Sequence, residues 1–202
     1  MDYFTGGCNL NHLKSIEYYN RPFKTTDEMN NTILNNINNM VKSNDRLYIC
    51  GNFCFAPIDP DKFIRTTRYF RNKINCDNIF LVYGNHDRRG AKMDEFLNLW
   101  TRSADYMELK GMEDRSLILF CYEIKQWNRQ HRGGFHLYSY PHGKGINSKG
   151  ASADVSIDNV KYLLTGDDAA QEAEWYRPIS YTELKKVLEP KASVRDFSYQ
   201  DD

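Results

Sequence analysis

The 202-residue chain lacks net charge: 27 Lys and Arg stand against 27 Asp and Glu. No global field draws it toward nucleic acid or an anionic membrane, which excludes bulk electrostatic binding but not a small phosphate pocket. Long apolar runs are missing too. The nearest, Leu117-Ile118-Leu119-Phe120-Cys121-Tyr122, falls far short of a membrane span. Met1-Asp2-Tyr3-Phe4-Thr5 lacks the basic region and apolar core of a secretory signal. Cysteine is scarce and odd in number, five without framework spacing, which argues against a disulfide scaffold and for reduced thiols in a cytoplasmic protein. Internal repeats and linker-like stretches are also absent.

What is present suits one compact domain over residues 1–190. A content of 41% hydrophobic and 14% aromatic residues allows an ample core. Tyr3 to Thr5 reads as a short strand, and a helix is expected over His12 to Tyr19. Thr25 and Glu28 have capping-box spacing ahead of Met29, Ile33, Leu34, Ile37, Met40 and Val41, which recur with helical period. The asparagines between them read as a solvated outer face.

Arg46 to Cys50 is the next strand. Pro60 opens a third helix with Phe63, Ile64, Tyr69 and Phe70 toward the core. A strand follows at Ile79 to Tyr83, then a loop over Gly84 to Gly90 and a helix around Met93 to Trp100. This alternation predicts an α/β layered sheet. Further strands are expected at Tyr106 to Leu109, Ser116 to Tyr122, Gly134 to Tyr138 and Ala153 to Ile157. Ser180 and Glu183 form a second capping box, opening a helix that Pro190 ends. Residues 191–202 read as a flexible polar tail.

Chemistry concentrates after the third strand, in Val82-Tyr83-Gly84-Asn85-His86-Asp87. This segment resembles the Gly-Asn-His-Asp motif of calcineurin-like metallophosphoesterases. The resemblance implies a layered α/β fold, a β-sheet sandwich flanked by helices. It also implies a metal-binding role for Asn85 and a phosphate-protonating or steadying role for His86. In such sites two metals share a bridging hydroxide and neutralise the phosphate oxygens.

The family's other motifs are altered here. Its Asp-x-His becomes Gly7-Cys8-Asn9, with His12 matching a second histidine of the small bacterial and phage members. Its Gly-Asp becomes Gly51-Asn52, a neutral amide in place of the bridging carboxylate. Cys121 stands for the histidine of His-Tyr-Pro. Ser139-Tyr140-Pro141-His142-Gly143 stands for Gly-His-x-His-Gly and keeps only the second histidine. Weaker likenesses lie at Tyr19 to Phe23, at Ala153 to Asn159 and at Tyr176 to Ser180. Residues 160–175 resemble an addition to the family pattern.

The resemblance therefore implies a degenerate phosphoesterase that no longer cuts. Two dications bring four positive charges, and both ligand aspartates and most imidazoles are gone. The expected site comprises Asn9, Asn52, Asn85, His86, Arg88, Tyr140 and His142. It would hold a phosphate compound, such as a nucleotide, through amide, imidazole and backbone donors, with His86 a vestigial general acid and no cofactor.

A second reading rebuilds a single-metal site, zinc or manganese, from Asn52, Asn85, Cys121 and His142, with Cys8 a further candidate, and restores a phosphodiesterase or phosphatase. A third makes the scaffold a protein-interaction or self-association module, with residues 160–175 as its surface. Cys121 also reads as core packing, Tyr140 as a ring plugging the vacated metal space, and His12 and His136 as structural histidines.

Overall fold

The computed structural model describes residues 1–112, 115–144 and 150–192. In chain order the main elements are β1 (Asp2–Thr5), α1 (Leu13–Tyr18), α2 (Thr26–Met40), β2 (Arg46–Cys50), α3 (Pro60–Arg71), β3 (Asn78–Val82), α4 (Asp94–Leu97), β4 (Arg102–Ala104), β5 (Tyr106–Met112) and β6 (Arg115–Phe120). They continue with β7 (Phe135–Tyr138), β8 (Ser152–Asp154), α5 (Val160–Thr165), β9 (Ile179–Ser180) and α6 (Tyr181–Ala192). The α/β class expected from the alternating pattern is what the chain adopts.

The strands form two sheets, one of five in the order β4-β3-β2-β1-β9 and one of four in the order β5-β6-β7-β8. In the first, β1 to β4 run parallel and β9 pairs antiparallel with β1. In the second, β5 and β6 are antiparallel, and β6, β7 and β8 are parallel.

Strand periodicity sorts the core into two halves. Tyr3, Leu47, Ile49, Ile79 and Leu81 face the helical layer, where Met29, Ile33, Ile37, Phe63 and Phe96 meet them. Their strand neighbours Phe4, Tyr48, Cys50 and Val82 point the other way, onto Leu117, Leu119, Phe135 and Leu137 of the second sheet. Phe4, Tyr48 and Phe80 are register partners across β1, β2 and β3 and stack at centroid distances of 5.1 and 4.7 Å. Burying each such side chain contributes roughly 1.5–3 kcal/mol.

Both capping boxes form. The Thr25 hydroxyl accepts the Glu28 N–H at 3.1 Å, while Glu28 reaches back one residue further than usual, to the Lys24 N–H at 2.8 Å. Ser180 and Glu183 exchange bonds reciprocally, Ser180 N–H to Glu183 at 2.9 Å and Glu183 N–H to Ser180 Oγ at 3.3 Å.

Several local expectations are corrected. Tyr69 is 56% exposed, so Phe63, Ile64, Thr67 and Phe70 form the buried face of α3. The helix expected over Met93 to Trp100 is only Asp94–Leu97, preceded by a 3₁₀ turn at Arg88–Lys92. The strand expected at Ala153 to Ile157 is Ser152–Asp154, because the chain turns as the Ser156 N–H bonds Asp154.

Short strands β4 and β9 escape a periodicity search at three and two residues. Pro190 lies inside α6, which runs on to Ala192, so Lys191 and Ala192 are helical rather than tail. Residues 193–202 of the expected tail lie outside the described residues. The asparagines of α2 are not merely solvated. Asn30 accepts the Asn11 N–H, Asn36 donates to the carbonyls of Ala173 and Tyr176, and Asn38 binds both Lys73 and Asn75. Among the described residues no helix is long and apolar enough to cross a membrane.

Candidate functional site

The loops that leave β1, β2 and β3 are laced together by their backbones. Gly7 N–H donates to the Gly51 carbonyl at 2.8 Å, and Asn9 N–H to the Asn52 carbonyl at 2.9 Å. The Asn52 side-chain oxygen accepts the His86 N–H at 3.1 Å. Ser139 Oγ donates to the Cys50 carbonyl, and Ser139 and Tyr140 N–H groups reach the Cys121 carbonyl. Asn9, Asn52, His86 and Tyr140 thus sit on loops joined around these strand ends.

Their side chains are largely committed. Asn9 is buried at left-handed φ 50°, its amide group donating to the Gly7 carbonyl at 3.2 Å. Its Oδ1 is buried and has no hydrogen-bond partner among the described residues. Asn52 is also buried and left-handed, at φ 44°.

Asp87 serves the loop itself. Its carboxylate accepts the Gly84 and Phe53 N–H groups at 3.0 and 3.1 Å, and burial pushes its carboxyl up to about 6 against those bonds. Asn85 is exposed, and Arg88 pairs with Asp105 at 2.7 Å on the surface. Arg89 donates to the carbonyls of Ala56 and Pro57.

His86 is half-buried and packs edge-on against His12 and Phe55, with centroids 5.6 and 5.3 Å away. His12 in turn stacks on Phe55 at 4.5 Å. Burial and the neighbouring Arg89 charge lower the His86 pKa, and burial followed by His86 lowers that of His12.

His142 is held most firmly. Its Nδ1 lies 2.6 Å from Asp158 Oδ2, and its ring stacks on Tyr19 with centroids 3.7 Å apart. Arg21 grips Asp158 in a two-pronged bond of 2.7 and 2.8 Å and donates to the carbonyls of Gly7 and Cys8. Burial would raise the Asp158 pKa, but the Arg21 charge and the bonds from His142 and Arg21 outweigh it and hold the carboxyl below its ordinary value. A Cβ on Gly7, which sits at φ 60°, would collide with His142 Cε1. The ring filling the space beside Gly7 is therefore that of His142. Tyr140, expected as the plug, is instead 48% exposed and packs on Tyr122.

Cys121 is fully buried, its Sγ 2.6 Å from where a Gly51 Cβ would stand. Burial pushes its thiol up to about 12, as it does those of Cys8 and Cys54, and all five thiols are free. Among the described residues, no three His, Cys, Asp or Glu side chains group so as to hold a metal ion. The donor set at the strand ends, two neutral amides, a buried thiol and an imidazole bound to a carboxylate, does not fit a pair of dications.

His136 is fully buried, Nε2 accepting the Ile124 N–H and Nδ1 facing the Ile118 carbonyl, an arrangement that fixes one neutral tautomer. Residues 160–175 fold as α5 and a 3₁₀ turn. Leu163, Leu164 and Trp175 pack on the core, and Tyr162 is half-exposed.

The site residues that sequence reasoning did not reach are Arg21, Asp154 and Asp158. All three lie in the segments Tyr19 to Phe23 and Ala153 to Asn159 noted in the sequence, but Arg21 and Asp158 stand 137 positions apart, and nothing local signals their pairing.

No family model matches the chain. It is similar to the uncharacterized protein MJ1445 of Methanocaldococcus jannaschii, 28% identical over 198 residues that span 96% of this chain and 94% of that one. Among solved structures, the protein of unknown function AQ665 from Aquifex aeolicus matches with a TM-score of 0.58 at 18% identity, over 93% of this chain and 99% of that one. At that identity the likeness is one of fold alone. Neither relative brings an activity to this chain.

Proposed function

We propose that the chain is a calcineurin-like metallophosphoesterase scaffold that has become a binding protein. It holds a phosphate-containing ligand, a nucleotide being the leading class, without hydrolysing it. The observation that carries this reading is the commitment of His142 to Asp158 beside a glycine, where the family's first metal-ligating aspartate would stand. With Asn52 bonded to the His86 backbone, that strand end offers no free anion to a metal. Without a metal no water is acidified, and His86 alone has no nucleophile to assist.

The binding half of the proposal rests on what stays available. His86 and His12 form an imidazole pair beside the half-exposed ring of Phe55, with Asn85 exposed next to them. Imidazoles and amides suit phosphate oxygens, and Phe55 and Tyr140 suit a base. Arg88, tied to Asp105, contributes at most after breaking that pair. A cytoplasmic setting agrees with five unpaired thiols.

Calorimetric titration with AMP, run beside a hydrolysis assay on bis-p-nitrophenyl phosphate with added manganese, tests both halves. Binding without turnover supports the proposal. Metal-dependent turnover contradicts the first half, and no AMP binding contradicts the second.

A further inference from the structure

A cavity of about 340 Å³ is bordered by the stacked His142 and Tyr19 and by Lys161, Tyr162 and residues 167–171. It is distinct from the His86–His12 cluster, none of whose residues line it. Four tyrosines, Tyr19, Tyr138, Tyr162 and Tyr176, contribute to its walls. Asp154, Asp158, Asp167 and Asp168 also line it, against Lys144 and Lys161.

The pairing of these charges leaves one buried carboxylate over. Arg21 neutralises Asp158 from behind, and Lys161 bonds Asp167 at 2.8 Å and Glu172 at 3.2 Å. Lys144 donates to the Tyr18 carbonyl at 2.9 Å with its ammonium 5.8 Å from the Tyr19 ring centroid, and Asp168 is exposed. Asp154, only 7% exposed, accepts the Gly143 and Ser156 N–H groups at 2.6 and 2.8 Å and has no cationic partner within ion-pair distance among the described residues. Burial pushes its carboxyl up to about 6. A carboxylate buried without a counter-charge is costly, and a ligand carrying that charge removes the cost. Aromatic faces add to the attraction for the same kind of ligand.

We propose that this cavity is a second ligand site, taking a small organic ammonium or guanidinium cation whose charge meets Asp154 between the tyrosine rings. Part of the segment 160–175 covers it: Lys161 bonds Asp167 and Glu172, Gln171 anchors to the Ile157 carbonyl at 2.6 Å, and Tyr162 stands half-exposed. The volume suits a compact molecule rather than a polymer.

Calorimetric titration of the full chain with agmatine, putrescine and choline tests the assignment. At least one is expected to bind at a single site. Asp154→Asn should weaken it roughly tenfold and Tyr162→Ala about threefold. His86→Ala, outside the cavity, should leave it unchanged, which separates this site from the proposed phosphate site. Failure of all three cations to bind, or unchanged affinity in folded Asp154→Asn, overturns the proposal. If Asp154→Asn does not fold, Tyr162→Ala decides, and unchanged affinity there overturns it equally.

Discussion

The Nδ1–H of His142 donates to Asp158 at 2.6 Å, and the same carboxylate is gripped from its other side by Arg21. One buried charge pair thus fixes both the imidazole and, through the Gly7 and Cys8 carbonyls, the first loop. Removing one partner leaves an uncompensated buried charge. Arg21→Ala is expected to destabilise the fold by about 3–5 kcal/mol in urea unfolding. The pH dependence follows from the lowered Asp158 pKa. The pair's contribution is complete above the ordinary carboxylate pKa, and it is lost as pH falls through the lower folded-state value.

Gly7 and His142 are expected to be coupled energetically. Gly7→Ala forces a Cβ into the imidazole and places alanine at φ 60°, a cost of about 2–4 kcal/mol. Combined with His142→Ala the collision disappears and only the backbone penalty remains. A double-mutant cycle should therefore show about 1–2 kcal/mol of non-additivity. Strict additivity would place the His142 ring elsewhere.

His136 gives the fold an acid-sensitive element. Burial lowers its pKa to about 4, against smaller raising effects from the Ile118 carbonyl and the Glu123 charge. A folded value below the unfolded one means that stability is complete above the ordinary histidine pKa and declines as pH falls toward about 4. The loss amounts to a few kcal/mol at most. His136→Gln, which retains a donor and an acceptor for Ile118 and Ile124, should flatten the stability profile over that window. An unchanged slope would assign the acid sensitivity to another group.

Binding of AMP at the proposed phosphate site should strengthen as the medium becomes more acidic. The His86 and His12 pKa values are lowered, so both imidazoles are mostly neutral at pH 7 and become cationic only below the usual histidine range. His86→Ala should weaken AMP about tenfold and reduce the pH dependence. Affinity that is flat with pH would remove the imidazoles from the site.

How much was legible depended on distance along the chain. Strand alternation in Tyr3-Phe4 and Leu47-Tyr48-Ile49-Cys50, and the two capping boxes, are local patterns, and the chain folds as they read. β4 and β9 are too short to carry a period and exist because β3 and β1 offer open edges. Pro190 does not stop α6 at its own position, since Lys191 and Ala192 are still helical among the described residues.

Under the proposed reading, Gly7, Asn52, Cys121 and Tyr140 are legible in the sequence as altered motifs. Their surroundings are not. The Arg21–Asp158 pair spans 137 positions, and the fate of the His142 ring depends on a loop conformation, φ 51°, that residue identity alone does not announce. The cavity bordered by Lys161, Tyr162 and the His142–Tyr19 stack joins residues far apart in the chain, so no local pattern marks it.

On this account the strand-end site has traded metal ligands for internal bonds. Metal content is the direct test: the purified chain is incubated with excess manganese and zinc, desalted, and assayed by inductively coupled plasma mass spectrometry. Well under one tightly held ion per chain is the expected result, whereas two retained ions per chain would contradict the account.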